Sequence, residues 1–279
     1  MDGDDLRSYS SLFVRGSLLV AAIVWLFWIW IPVGWDFFRG LAVTPQTAPP
    51  HYIPQNLTLV HYHKLLAGGF LTYVRNSTII TTTSTIISIV VASLAAYSIN
   101  RYNPGDSQVM MFILGMRFLP PIAVVIPLYM MFLRFQLINS WYGLIIAYLT
   151  IGIPISTWIM LIFFRRVPVA LEEASWIDGW SRLQTLRRVV LPLIAPGIAS
   201  AAIITAILMW NEYTMALVLT TNSSAQTIPI YLAGFVTTRG ILWGQMGAAT
   251  MIAITPIIVI AFLLQERLVT GFSLEGSNG

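Results

Sequence analysis

LEEASWIDGWSRLQTLRRVVLPLIAPG, from Leu171 to Gly197, is the stretch on which the reading of this chain turns. The 279-residue chain is 57% hydrophobic and 9% charged. Yet Arg165, Arg166, Glu172, Glu173, Asp178, Arg182, Arg187 and Arg188 put eight of its 26 charges (15 basic plus 11 acidic) within 24 residues. So dense a charge cluster does not belong in hydrocarbon, and its flanks have to say where it lies.

Those flanks are apolar. A mean hydropathy of +0.78, with runs of about 20 apolar residues, reads as a membrane protein with several spans. Window hydrophobicity predicts six, at roughly 14–36, 77–99, 108–133, 141–164, 194–220 and 246–266, in one domain over 1–279. Strands crossing a membrane would be about 10 residues long and alternating. This chain has neither property, so the fold class is all-α with six transmembrane helices. The apolar run Leu18–Trp35 is too long for a signal-peptide core and no small-x-small site follows it, so it reads as a retained first span. With the N-terminus inside, the cytoplasmic segments hold Arg7, Arg15, Arg101, Arg165, Arg166, Arg182, Arg187, Arg188 and Arg267. The outer segments hold Arg39, Lys64, Arg75, Arg134 and Arg239. Nine against five places both termini in the cytoplasm, and with them the charged segment between spans four and five. The net charge of +4 is thus a topology signal and does not point to nucleic acid.

Little chemistry is available elsewhere. The chain has no Cys, hence no disulfide, thiolate ligand or catalytic thiol. It has no phosphate-binding loop and none of the common hydrolase, zinc-protease or dinucleotide motifs. Its three histidines, His51, His61 and His63, lie in the outer loop, where His61-x-His63 would suit a metal only on a strand. No carboxylate is near them, and no metal site is expected. In the same loop Lys64–Tyr73 reads as a short amphipathic piece on the membrane surface. Ser84, Ser88, Ala92 and Ala96 form a small-residue face on span two, and Gly240, Gly244, Gly247 and Ala248 another at the entry to span six. Both read as close helix packing. Trp25, Trp28, Trp30 and Trp35 crowd span one, the last two at interfacial depth.

The charged segment itself reads as helix–Gly–helix. Pro168 suits a helix start, Gly179 a helix end or turn, and Trp180–Val190 a second helix closed by Pro192. Such a piece is a docking surface for a cytoplasmic protein. Glu173-Ala174-Ser175, Gly179 and Val189-Val190-Leu191-Pro192 resemble the signature of binding-protein-dependent ABC importer permeases. That signature is E-A-A, a three-residue gap, G, a nine-residue gap, then I-x-L-P. The spacing matches, with Ser175 for Ala and Val189 for Ile. Tyr62-His63-Lys64-Leu65-Leu66 with Asn76-Ser77, Pro120-Pro121 with Ile126-Pro127-Leu128-Tyr129, Trp210-Asn211-Glu212-Tyr213, and Trp243-Gly244-Gln245-Met246 with Gln265 are similar to the carbohydrate-uptake branch, of maltose G type. The tail, Ser273 to Gly279, departs from that branch's usual ending.

The resemblance implies a permease subunit in a bacterial or archaeal inner membrane, not itself an enzyme. Its partners would be a second homologous permease, two ATP-binding subunits and an extracytoplasmic solute-binding protein. ATP and Mg would sit on the ATPases, with no cofactor in this chain. The cargo would be a sugar, oligosaccharide, polyol or sugar derivative. Glu172, Glu173, Ala174, Ser175, Asp178 and Gly179 would form the coupling helix. Glu173 would meet basic groups on the ATPase, Ala174 and Ser175 would keep the helix slim, and Gly179 would give the bend. A solvated face with internal salt bridges is the plainer reading of these charges, and a self-contained secondary transporter or channel is the alternative function.

Arg117 and Glu212 are the charges expected inside spans, where each costs about 2.5 to 3.5 kcal/mol at a helix centre. They read either as an ion pair between spans three and five or as part of the substrate path. Pro120, Tyr129, Trp210, Asn211 and Tyr213 are the other path candidates. An Arg117 left facing the cavity would favour an anionic sugar derivative.

Overall fold

A computed structural model of the chain describes residues 3–43, 56–103, 106–116 and 120–273, with side chains over 16–43, 56–103, 108–116 and 120–259. In chain order the helices are α1 (Gly3–Leu41), α2 (Val60–Ala67), α3 (Phe70–Tyr102), α4 (Asp106–Gly115), α5 (Pro121–Arg134), α6 (Trp141–Phe164), α7 (Val169–Ile177) and α8 (Arg182–Thr185). A wide π-turn, Leu186–Val190, follows. Then come α9 (Leu191–Leu193), α10 (Ala195–Trp210), α11 (Thr214–Leu219), α12 (Ile228–Ala233), the hairpin β1 (Val236–Thr237) and β2 (Gly240–Ile241), and α13 (Trp243–Ser273). Among the described residues three stretches are long and apolar enough to cross a membrane alone: Gly16–Leu41, Phe70–Tyr102 and Trp141–Phe164. Arg182–Leu193 and Ala195–Trp210 pass together across a 78° bend, and Pro121–Arg134 and Trp243–Val259 are shorter apolar helices.

The helices differ from the expected ranges in several places. α6 starts at Trp141 because Ser140 caps it, its hydroxyl accepting from the Gly143 amide at 3.1 Å. Where one span is expected at 108–133 the structure has two helices, α4 and α5, and where one is expected at 194–220 it has α10 and α11, with a break at Asn211–Tyr213. The surface piece expected over Lys64–Tyr73 is divided at Gly68–Gly69 into the end of α2 and the start of α3. His61 and His63 lie on α2 and not on a strand, so they do not share a face. Pro192 does not close the second helix of the charged segment. The Leu191 amide reaches back to the Leu186 carbonyl, and the chain continues to Leu193 before it bends. The wider turn accommodates a residue with no N–H to donate.

The chain divides into two compact units, Met1–Gly68 with Phe235–Ile254, and Gly69–Gly234 with Thr255–Gly279. In the first, Gly244 and Gly247 are packing glycines: a methyl at Gly244 would strike the His61 ring, and one at Gly247 the Asp36 carbonyl and Gly40 amide. Gly240 instead turns the hairpin at φ +118. Arg39 is stacked between Trp35 and Trp243, at 4.5 and 4.1 Å from the ring centres. Trp25, Trp28 and Trp30 are exposed along α1.

In the second unit α3 packs on α6 and α10. Its small face, Ser84, Ser88, Ala92 and Ala96, is fully buried, and a methyl at Gly152 of α6 would collide with Ser88 and Met209. Two apolar clusters result. One, at the α7 end, gathers Ala96, Tyr97, Met160, Phe164, Leu186 and Val190. The other gathers Ile80, Val125, Leu144, Tyr148, Met209 and Met215.

Candidate functional site

The charged segment is a helix with well-defined ends. Pro168 precedes α7 in extended backbone, φ −61 and ψ 133. At the other end the Gly179 amide donates to the Trp176 carbonyl and the Trp180 amide to the Ser175 carbonyl, both at 3.0 Å. With Gly179 at φ +85 this is a Schellman ending, and a glycine is what that conformation favours. Ser181 then starts α8 with a capping box: the Gln184 amide donates to its hydroxyl at 3.4 Å, and the Ser181 amide to the Gln184 side chain at 2.8 Å.

The two neighbouring acids of this helix point opposite ways. Glu173, Ala174, Ile177 and Asp178 are exposed, with Ile177 at 87% the extreme, and Val169, Leu171 and Leu183 add to an apolar surface around them. Glu172 is fully buried. It accepts from the Arg101 Nε at 2.6 Å and from the Tyr97 hydroxyl at 2.9 Å, and is ion-paired with the same guanidinium. Ser175 is also turned inward, its hydroxyl on the Leu171 carbonyl at 2.8 Å.

The last turn of α3 is thus a seat for α7, and sequence reasoning missed it. Besides Glu172, Arg101 donates to the Val167 carbonyl at 3.0 Å, and Asn100 to the Phe164 carbonyl at 3.2 Å. Arg182 donates to the Tyr102 hydroxyl at 2.6 Å and lies over the Trp176 ring at 4.6 Å. The available signal was Tyr97, Asn100 and Arg101 at helical spacing at the end of a span, across from a loop carrying acids.

The path candidates are brought together only in part. Trp210 to Tyr213 form the break between α10 and α11. There Glu212 does the work of a cap, its carboxylate accepting from the Met215 amide at 2.9 Å and the Ala216 amide at 3.2 Å. The Tyr148 hydroxyl donates to the Glu212 carbonyl at 3.3 Å. Asn211 is exposed and bonded to its own Ile207 carbonyl at 2.8 Å, and Tyr213 is exposed. Tyr129 packs into the cluster around Val125 and Met215, while Pro120 is exposed at the start of α5. Arg117 lies outside the described residues. Of the candidates only Trp210 lines the cavity of about 290 Å³ between α3 and α10, with Thr78, Thr82, Ala206, Pro256 and others. The Thr78 hydroxyl is turned to the Val74 carbonyl at 2.8 Å and Thr85 to the Met209 sulfur at 3.7 Å, so this wall is largely apolar.

Residues 88–273 match the family described as "Binding-protein-dependent transport system inner membrane component". This chain belongs to that family. It is therefore the permease subunit of an ABC importer and an inner-membrane protein, and the self-contained transporter is set aside. The trehalose/maltose transport system permease protein MalG of Thermococcus litoralis is 33% identical over 273 residues, 96% of each chain. The trehalose transport system permease protein SugB of Mycobacterium tuberculosis is 32% identical over 253 residues, 89% of this permease and 92% of that one. In fold the permease resembles a chain of a solved bacterial ABC transporter that imports the acidic polysaccharide alginate, with TM-score 0.76 and 20% identity over 94% of this chain and 98% of that one.

Proposed function

We propose that this permease imports a sugar, oligosaccharide, polyol or sugar derivative, and that α7 is its docking element for an ATPase subunit. The observation that carries the second half is the sorting of α7. One acid, Glu172, is held inside, while Glu173, Ala174 and an 87%-exposed Ile177 face outward next to a left-handed Gly179. An apolar tip with a charged rim on a helix of nine residues has the shape of a plug for a cleft. Glu173 and Asp178 would meet basic groups around that cleft. The sugar half is supported by the substrates named for the relatives.

In this reading the chain crosses the membrane six times with both termini in the cytoplasm, and α4 with α5, and α10 with α11, are broken spans. A second permease and a second ATPase complete the machine. ATP and Mg are held by the ATPases, whose closure moves α7 and tilts the spans. An extracytoplasmic binding protein delivers the cargo to a path that includes the Trp210–Tyr213 break.

The test is purification of the tagged permease from native membranes, with its partners identified. Wild type should bring a second permease and a P-loop ATPase. Ile177→Asp and Glu173→Lys should reduce the ATPase recovered, and Gly179→Pro should abolish uptake while the chain still inserts. Normal uptake by all three variants would remove the docking assignment. ATPase activity of the complex with its binding protein and a panel starting from trehalose and maltose would then name the cargo.

A further inference from the structure

Arg39 stands in the last turn of α1, at the end of the apolar stretch Gly16–Leu41. An arginine at such a place ordinarily snorkels, extending its head into water. Here the guanidinium is instead held between the Trp35 and Trp243 rings, its carbon 4.5 and 4.1 Å from their centres. Trp35 precedes it by one helical turn, and Trp243 opens α13. The close approach is secured by glycine: a Cβ at Gly247 of α13 would lie 3.2 Å from the Arg39 Cβ. All these residues belong to the first compact unit.

Stacking satisfies the two faces of a guanidinium and leaves its N–H groups, which lie in the plane, to find acceptors. Arg39 has not found them. Its Nη1 is buried and has no hydrogen-bond partner among the described residues. Asp36, three residues earlier, makes no ion pair with it, since the ion pair found among the described residues is Arg101–Glu172. A cationic N–H shut off from water and from any acceptor is costly. The box therefore lacks an oxygen, and an anionic one suits it best. Beside the box Phe37 and Phe38 are exposed, in edge-to-face contact at 5.6 Å. Along the same helix every residue from Gly16 to Pro32 is exposed as well. Cation, paired indoles and an adjoining apolar surface coincide at one end of a span.

We propose that the Trp35–Arg39–Trp243 box binds the phosphate of a membrane phospholipid. The phosphate oxygens accept from the guanidinium edge, which matches them in geometry and charge. The indoles lie at the depth of the headgroups, where tryptophan is favoured. An acyl chain runs back along Phe37 and Phe38. The bound lipid fastens the end of α1 to the start of α13, because its acceptor is shared by a residue of one helix stacked on a ring of the other.

The experiment uses the complex purified in a non-ionic polyoxyethylene detergent and stripped of loosely held lipid. Native mass spectrometry counts the phospholipids retained, and the unfolding midpoint is followed as phosphatidylglycerol is added back. Wild type should retain one phospholipid more than Arg39→Gln, and its midpoint should rise with added lipid. In Arg39→Gln the concentration needed for that rise should increase about tenfold or more, the effect of losing charge-assisted hydrogen bonds. Trp243→Leu keeps the cation and loses one ring, and should show a smaller increase. Equal retention and an equal rise in Arg39→Gln overturn the proposal. Two further additions identify the ligand. Inorganic phosphate should leave the wild-type midpoint where it is, and a rise equal to that with lipid would make the box a free-anion site and overturn the lipid. A diacyl glycolipid without phosphate should also be ineffective, and an equal rise would show that the chains bind and the phosphate does not. Should Arg39→Gln fail to assemble, wild type alone decides. Phosphatidylglycerol with a photoactivatable headgroup should label the 35–39 or 243–247 segment, and labelling that spares both overturns the site.

Discussion

Glu172 and Glu212 are carboxylates in a chain with few of them, and both are withdrawn from solvent, yet they are satisfied in different ways. Glu172 is fully buried and depends on a residue 71 positions away, the Arg101 guanidinium, together with the Tyr97 hydroxyl. Glu212 is half-buried and depends on amides three and four residues ahead, Met215 and Ala216. The first arrangement fastens one element to another. The second only shapes its own segment, letting the chain restart as α11 after α10 has ended. A buried charge paired across elements thus marks a joint, while one capped locally marks a bend.

The sharpest way to break this comparison is to remove one member of the joint. Arg101→Met leaves Glu172 buried without its cation, and the loss of stability should be about 3–5 kcal/mol. It should appear as a lowered unfolding midpoint of the purified complex. The charge-swapped pair Arg101→Glu with Glu172→Arg should recover part of it. An unaltered midpoint in Arg101→Met would mean that the ion pair is not a joint at all.

At Glu212 the expected effect is smaller. Glu212→Ala frees two amides and should cost about 0.5–2 kcal/mol, the range of a lost helix cap. Glu212→Gln should cost less, because its carbonyl still accepts from Met215. Exchanging the charges of Arg117 and Glu212 should not restore uptake lost in the single variants. Full recovery would show that Glu212 answers to Arg117 and that capping is secondary.

The same contrast explains what the sequence could disclose. Gly179, Pro168 and the start of α6 are legible because each is decided locally, by a positive φ, a fixed φ or a serine cap. The family signature has the same character, since its spacing lies within one segment. The opposite directions of Glu172 and Glu173 were not legible. Adjacent helix positions differ by about 100°, and which of them faces inward is decided by where α3 ends. The break at Asn211–Tyr213 was hidden for a related reason. It contains no proline or glycine, and glutamate is not among the preferred caps, so an apolar window runs across it. The path candidates around that break share a residue type rather than a local signal, and the structure gathers only some of them.

The middle of α3 gives the smallest and finest test. Ser84 and Ser88 are fully buried, and their hydroxyls find no hydrogen-bond partner among the described residues. Their evident contribution is size, because Ser88 faces Gly152 with no room for a methyl between them. A buried hydroxyl without a partner adds nothing that a methyl would lack. Ser88→Ala should therefore leave the unfolding midpoint and uptake unchanged. If uptake fell while the midpoint held, the hydroxyl would have a partner in another state of the transport cycle. The face between α3 and α6 would then be a moving joint and not a fixed seam.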